Sequence, residues 1–143
     1  MKKIILLSIS LFAFALLTKA QCGKTVVWSA AKADFLDADG NLQDTKAEKI
    51  TIETSDSRII LKHGDREEDV LKGNIKELQC NWAIPYKDGK TTFKTILEEA
   101  SGDTKEAVVT IEAKEGKITI VIVSLTNQGR MIKIAVEDYK ENI

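Results

Sequence analysis

The stretch Lys117–Leu125, K-I-T-I-V-I-V-S-L, decides the fold of this chain. Six of its nine residues are Ile, Val or Leu, and five of those six are β-branched, a side-chain class that suits a pleated strand better than a helix. One strand face would carry Ile118, Ile120 and Ile122, and the opposite face Val121 and Val123. A strand that is apolar on both faces requires cover on both, so the pattern predicts a central strand rather than an edge.

Turn residues bracket this stretch and recur along the chain at hairpin spacing. Glu115-Gly116 precedes it and Thr126–Gly129 follows it, which favours hairpin connections to both sequence neighbours. The same reasoning predicts eight strands: 25–36, 49–54, 58–63, 69–84, 91–97, 105–113, 117–125 and 131–139. We therefore expect an all-β domain of about eight antiparallel strands in meander order, forming a small barrel. A two-sheet β-sandwich is the alternative.

The first 20 residues have the layout of a secretory signal peptide. A basic start, Met1–Lys3, precedes the 14-residue apolar segment Ile4–Leu17, and Thr18-Lys19-Ala20 supplies the small residues of a cleavage site. The apolar segment is shorter than the roughly 20 residues that span a bilayer. We expect a signal helix at 1–20, a single β domain at 21–143, and export to the periplasm or the extracellular space.

The composition of the remaining chain excludes some classes of partner. Without residues 1–20 the chain has 18 basic and 22 acidic residues and no basic run, which argues against nucleic-acid binding. No later stretch is apolar enough to cross a membrane, so we expect no membrane span after signal cleavage.

Two cysteines, Cys22 and Cys80, enter the oxidising compartment that a signal peptide implies. A disulfide between them is the simplest interpretation, and a zinc site would need histidines that are not present. The alternative use of Cys22 is lipidation, but Gln21 and Lys19 depart from the lipobox pattern, which has a small residue before the cysteine and a leucine at its start.

Chain size, strand number and meander order resemble the small lipocalin-like barrels of secreted bacterial proteins. The resemblance covers most of the chain after the leader, although Gly23 and Trp28 are five positions apart and depart from the Gly-x-Trp of that family. It implies an interior cavity for an apolar ligand. No functional residue is carried over from the family, and fold alone does not establish function.

Candidate sites in the sequence each have an ordinary structural explanation. Asp37, Asp39, Asn41 and Asp44 have the oxygen density of a calcium loop, but Leu42 stands where an EF-hand needs glycine, which favours a soluble Asp-Gly turn. His63 is the only histidine and has no recognisable nucleophile. Glu67–Asp69 and Glu98-Glu99 are adjacent carboxylates, which alternate between strand faces and so do not form a glycosidase pair.

The aromatic residues of interest are Trp28, Trp82, Tyr86 and Phe93. Trp82 and Tyr86 could form a stacking surface for a sugar or a partner, but we favour Trp82 and Phe93 as core residues that face each other across a hairpin.

These observations predict an exported, non-catalytic binding protein that could hold a small apolar ligand inside a β-barrel. The alternative is a protein-interaction module, such as an exported enzyme inhibitor or an accessory subunit with an exported protein partner. An enzyme is the weakest interpretation, because no catalytic residue, ligand-binding residue, cofactor or metal can be assigned.

Overall fold

The computed structural model describes residues 22–142, which form eleven β-strands and one short 3₁₀ helix. The strands are β1 (Thr25–Ala30), β2 (Ala33–Leu36), β3 (Leu42–Lys46), β4 (Ile50–Thr54), β5 (Arg58–His63), β6 (Val70–Ile84), β7 (Asp88–Glu98), β8 (Thr104–Lys114), β9 (Lys117–Ser124), β10 (Met131–Ala135) and β11 (Asp138–Asn142). The 3₁₀ helix is Glu67–Asp69. The all-β prediction is confirmed, and the expected signal helix lies outside the described residues.

All eleven strands belong to one antiparallel sheet with the order β11-β1-β4-β5-β6-β7-β8-β9-β10-β2-β3. Strands β4 to β10 follow each other as hairpins, which confirms the predicted meander. The two-sheet sandwich is therefore wrong. The closed barrel is also wrong, because among residues 22–142 the order ends at β11 and β3 and no ladder joins these two strands.

The open sheet is nevertheless rolled. β1 and β2 stand eight strand positions apart in the sheet, yet only Ala31 and Lys32 separate them in sequence. Eight strand spacings in a flat sheet would cover about 38 Å, whereas so short a connection reaches only about 10 Å. The chain therefore brings the two ends of the sheet together covalently at Ala31–Lys32.

Two bends and one additional strand explain why eleven strands replace the predicted eight. The predicted strand 25–36 breaks into β1 and β2 at Ala31–Lys32, where both residues are exposed. The predicted strand 131–139 breaks at Val136–Glu137 into β10 and β11. β3 forms in the polar segment after the Asp-Gly turn, where we predicted no strand, because it pairs with β2 around that turn.

The inner face of the roll is filled with apolar side chains. The three isoleucines of the central stretch are all buried, and Ile120 lies between Ile111 of β8 and Ile134 of β10. Val121 and Val123 point outward and are half-buried. The predicted division of this strand into two apolar faces is thus confirmed. Trp82 and Phe93 are buried on neighbouring strands as predicted, but they do not face each other, because Trp82 pairs with Gly89.

The long strand β6 departs from regular pairing at two irregularities. They lie between Lys76 and Gln79 and between Trp82 and Ile84. Each changes the alternation of side chains along the strand. As a result Ile84 is 53% exposed, although it lies two residues after the buried Trp82.

Candidate functional site

One end of the roll contains a small, partly open cavity of about 30 Å³, bordered by the indole rings of the two tryptophans. The Trp28 Nε1–H donates a hydrogen bond to Thr54 Oγ1 at 2.9 Å. The Trp82 Nε1–H donates to Thr91 Oγ1 at 2.8 Å. Since each indole has its partner and the cavity is about the size that holds one water, this end of the interior is packed.

The disulfide and Tyr86 close the same end. Cys22 and Cys80 form a disulfide with Cα atoms 6.2 Å apart, which fixes the segment before β1 against β6. The Tyr86 ring lies 5.5 Å from Trp28, 5.7 Å from Trp82 and 5.0 Å from Tyr139, measured between centroids. Such edge and tilted contacts are favourable for aromatic pairs. Trp82 and Tyr86 therefore do not form a flat exposed stacking surface.

Tyr86 occupies an environment that disfavours the phenolate. Burial raises the pKa of the Tyr86 hydroxyl well above its usual value, and a hydrogen bond to Glu141 and the charge of that carboxylate raise it further. The residue also has a positive φ of 58°, a backbone conformation that tight packing must hold in place. Tyr86 thus has a structural role: its ring closes this end of the roll and packs against its aromatic neighbours.

The outer face of the sheet carries a continuous apolar row, which we call the outer stripe. It comprises Val108, Val123, Met131, Leu36 and Leu42, one residue from each of five neighbouring strands. Each member is paired directly with the next across a ladder. Directly opposed residues lie on the same face of a sheet and within side-chain contact, so the stripe is one surface.

Two further apolar residues extend this surface. Ile96 of β7 is 41% exposed, and Leu125, directly after β9, is 53% exposed. Both lie beside Glu106, because Ile96 pairs with it and the Leu125 N–H donates to its carbonyl. Leu42, at the β3 end of the stripe, is 61% exposed. Three of the five most exposed large apolar residues among positions 22–142 therefore belong to or border the stripe, and clustered apolar exposure marks interaction surfaces.

The acidic loop after β2 is a self-contained turn. The Asp37 carboxylate accepts hydrogen bonds from the backbone N–H groups of Asp39 at 3.0 Å and Asn41 at 2.8 Å, and from the Asn41 amide at 3.1 Å. The pKa of Asp37 is lowered, chiefly by the backbone donor of Asn41. Asp44 lies outside this turn, in β3. Between residues 22 and 142, no group of three or more His, Cys, Asp and Glu is placed to hold a metal ion.

The other sequence candidates are dispersed. His63 ends β5 opposite Ile50, Glu67–Asp69 form the exposed 3₁₀ helix, and Glu99 pairs with Lys105 at 2.6 Å. None of these groups faces another to form a catalytic arrangement in the described part of the chain.

An open cleft of about 360 Å³ lies where the bent strands meet. Its walls are three alanines, one serine, one lysine and three carboxylates: Ser29, Ala30, Ala31, Ala47, Glu48, Lys49, Glu137 and Asp138. Small-molecule sites are usually lined by apolar and aromatic side chains with a few convergent polar groups. This cleft is open and no aromatic side chain lines it, so the outer stripe is the better candidate for binding.

The outer stripe could not be predicted from the sequence. Alternation indicates Val121 and Val123 as a second apolar face, but their cross-strand neighbours depend on ladder register. Hydrophobic alternation in β8 and β9 was the available signal, and the contribution of Leu36 and Leu42 could not be read without the pairing of β2.

No helix within residues 22–142 has the length and apolarity that a membrane crossing demands. No protein-family model matches the chain, and no match was found among curated proteins or solved structures.

Proposed function

We propose that this chain is an exported, non-catalytic protein-interaction module that binds a protein partner through the outer stripe. The observation that carries the proposal is the unbroken row from Val108 to Leu42 across five strands. Protein interfaces combine a central apolar patch with a polar rim. Here Lys94 lies beside Val108 at one end, and Lys133 and Asp34 lie in the adjacent row.

The packed interior supports a surface role over an interior one. Ligand pockets commonly measure about 300–1,000 Å³, whereas the cavity at the tryptophan end is about 30 Å³. The rolled meander is similar to lipocalin-like proteins in chain order, and we infer from that similarity only a shared shape. The disulfide supports export, because such bonds persist in oxidising compartments.

Site-specific photo-crosslinking tests the proposal. A photoreactive residue at Leu125 would report on the stripe, and one at Ile84 is a matched control, because both side chains are 53% exposed. The purified disulfide-bonded chain would be incubated with the exported proteins of its own cells and irradiated. We expect a discrete protein adduct at position 125 and none at position 84.

Matched substitutions then separate binding from stability. Val123→Thr makes the stripe polar with almost no change in shape. Val27→Thr makes the same change on the outer face of β1, where the neighbours are the charged residues Lys140 and Glu53. Loss of the adduct with the first variant alone supports the stripe. Equal yields from both variants, or an adduct at position 84 instead, would contradict it.

A further inference from the structure

The strand β3 is a free edge. It pairs with β2 on one side only and ends the sheet order, and all five of its residues are exposed. At the other end of the sheet Tyr86 packs on β11 through Tyr139. Free strand edges present unpaired backbone groups to which another strand can add.

β3 carries two residues of opposite charge on one face. Asp44 pairs with Phe35 and Lys46 with Ala33 across the β2 ladder, so Asp44 and Lys46 share one face. The Lys46 Nζ lies 5.1 Å from the centroid of the Phe35 ring, which confirms its direction. Neither charge forms an ion pair with any residue in the part of the chain that the structure describes.

We propose that two copies of this chain associate by antiparallel pairing of β3 with β3, with Thr45 opposite Thr45 at the twofold axis. In this register Asp44 of each copy stands directly opposite Lys46 of the other, which gives two attractive pairs. Opposite charges at directly opposed positions stabilise a strand pair, and like charges destabilise it. The charge pattern of β3 is therefore complementary to that of a second, antiparallel copy of the same strand.

The neighbouring registers are less favourable. Moving the axis to Asp44 places the two Asp44 carboxylates opposite each other. Moving the axis to a point between Asp44 and Thr45 would place Thr45 opposite Asp44. These two residues point to different faces, and a continuous sheet does not allow such a pair.

Backbone groups at the centre of the edge are free to change partners. The Thr45 N–H donates to the side chain of Asp44, its own neighbour, at 2.9 Å. On pairing, that N–H would turn to the carbonyl of the second copy, and the Asp44 carboxylate would turn to Lys46. Because the twofold arrangement uses the same strand on both copies, it closes as a dimer and does not propagate.

A five-residue edge gives a weak association, so it must be measured over a wide range of concentration. Sedimentation velocity of the disulfide-bonded chain from about 10 µM to about 1 mM covers the range expected for a small interface. We expect the weight-average mass to rise toward that of a dimer.

Charge reversal at Asp44 and Lys46 tests the proposed β3 pairing directly. Asp44→Lys and Lys46→Asp each oppose like charges at both pairs, so each should weaken self-association roughly tenfold or more. In an equimolar mixture of the two single variants, the two lysines of one variant stand opposite the two aspartates of the other, and association should be restored. The double variant D44K/K46D should restore it as well.

The outcomes are distinguishable from misfolding and from failure of the stripe. Both positions are exposed, and unfolding curves check that each variant is folded. Restoration in the mixture supports β3 pairing. Monomers at every concentration, or single variants that dimerise like the wild type, would overturn it. Val123→Thr should leave the dimer unchanged, because Val123 lies in β9, three strands away from β3 in the sheet order.

Discussion

Ile120 provides a direct stability test of the filled inner face. Its side chain is completely buried, with Ile111 and Ile134 as buried cross-strand neighbours. Truncation to alanine removes three carbon atoms, which corresponds to about 2.4 kcal/mol at about 0.8 kcal/mol per buried methylene. The cavity left behind adds to this loss, so we expect Ile120→Ala to lower the free energy of unfolding by about 3–4 kcal/mol.

Val121 is the matched control, because it follows Ile120 in the same strand but faces outward and is half-buried. Val121→Ala removes two methyl groups that are already partly in water, so we expect a loss of about 1 kcal/mol or less. The assay is urea unfolding of the disulfide-bonded chain, followed by tryptophan fluorescence. Equal losses in the two variants, or a larger loss from Val121→Ala, would refute the assignment of inner and outer faces.

Three further predictions concern the disulfide, the buried hydroxyl of Thr95 and the phenol of Tyr86. The double variant C22S/C80S should lose about 4 kcal/mol of stability on the chain-entropy account. A reducing agent should destabilise the wild type but not the variant. If the stability of the wild type did not change with reducing agent, the Cys22–Cys80 pairing would be contradicted. Thr95 Oγ1 is buried and has no hydrogen-bond partner among residues 22–142, so Thr95→Val should raise the free energy of unfolding by about 1 kcal/mol, whereas a clear loss would reveal a partner such as a bound water. Burial and Glu141 raise the pKa of Tyr86 in the folded state, so Tyr86 ionises first in the unfolded chain, and stability should fall as the pH rises above about 10. Tyr86→Phe should reduce this loss of stability at alkaline pH, as measured by urea unfolding. An unchanged pH profile would count against the buried phenol.

Side-chain alternation made the centre of the sheet predictable from sequence. In β9 every second residue from Ile118 to Ile122 is isoleucine, and the turn before it contains Glu115 and Gly116, both of which adopt positive φ. Strong period-two patterns and turn residues of this kind specify strands and hairpins locally.

The edges of the sheet could not be predicted in the same way. β3 has the sequence L-Q-D-T-K, which has little strand propensity, and it forms because β2 offers a ladder. The bends at Ala31–Lys32 and Val136–Glu137 depend on how the sheet rolls, which is a property of the whole chain. The irregularities in β6 could not be detected in the sequence either, and they turn Ile84 away from the face that strict alternation from Trp82 would give it.

The candidate site illustrates the same limit. The sequence showed that β9 has a second apolar face, but it could not show that Val123 stands beside Met131 and Val108. Cross-strand register links residues that are distant in sequence, so a surface such as the outer stripe becomes visible only when the pairing is known.

Methyl NMR during titration with the protein partner captured by crosslinking at position 125 tests most directly whether this protein binds through its outer stripe rather than its interior. We predict shift changes at the methyl groups of Val108, Val123 and Met131 and none at Ile111, Ile120 or Ile134. Saturable changes at those three inner isoleucines, with the stripe unaffected, would contradict the account.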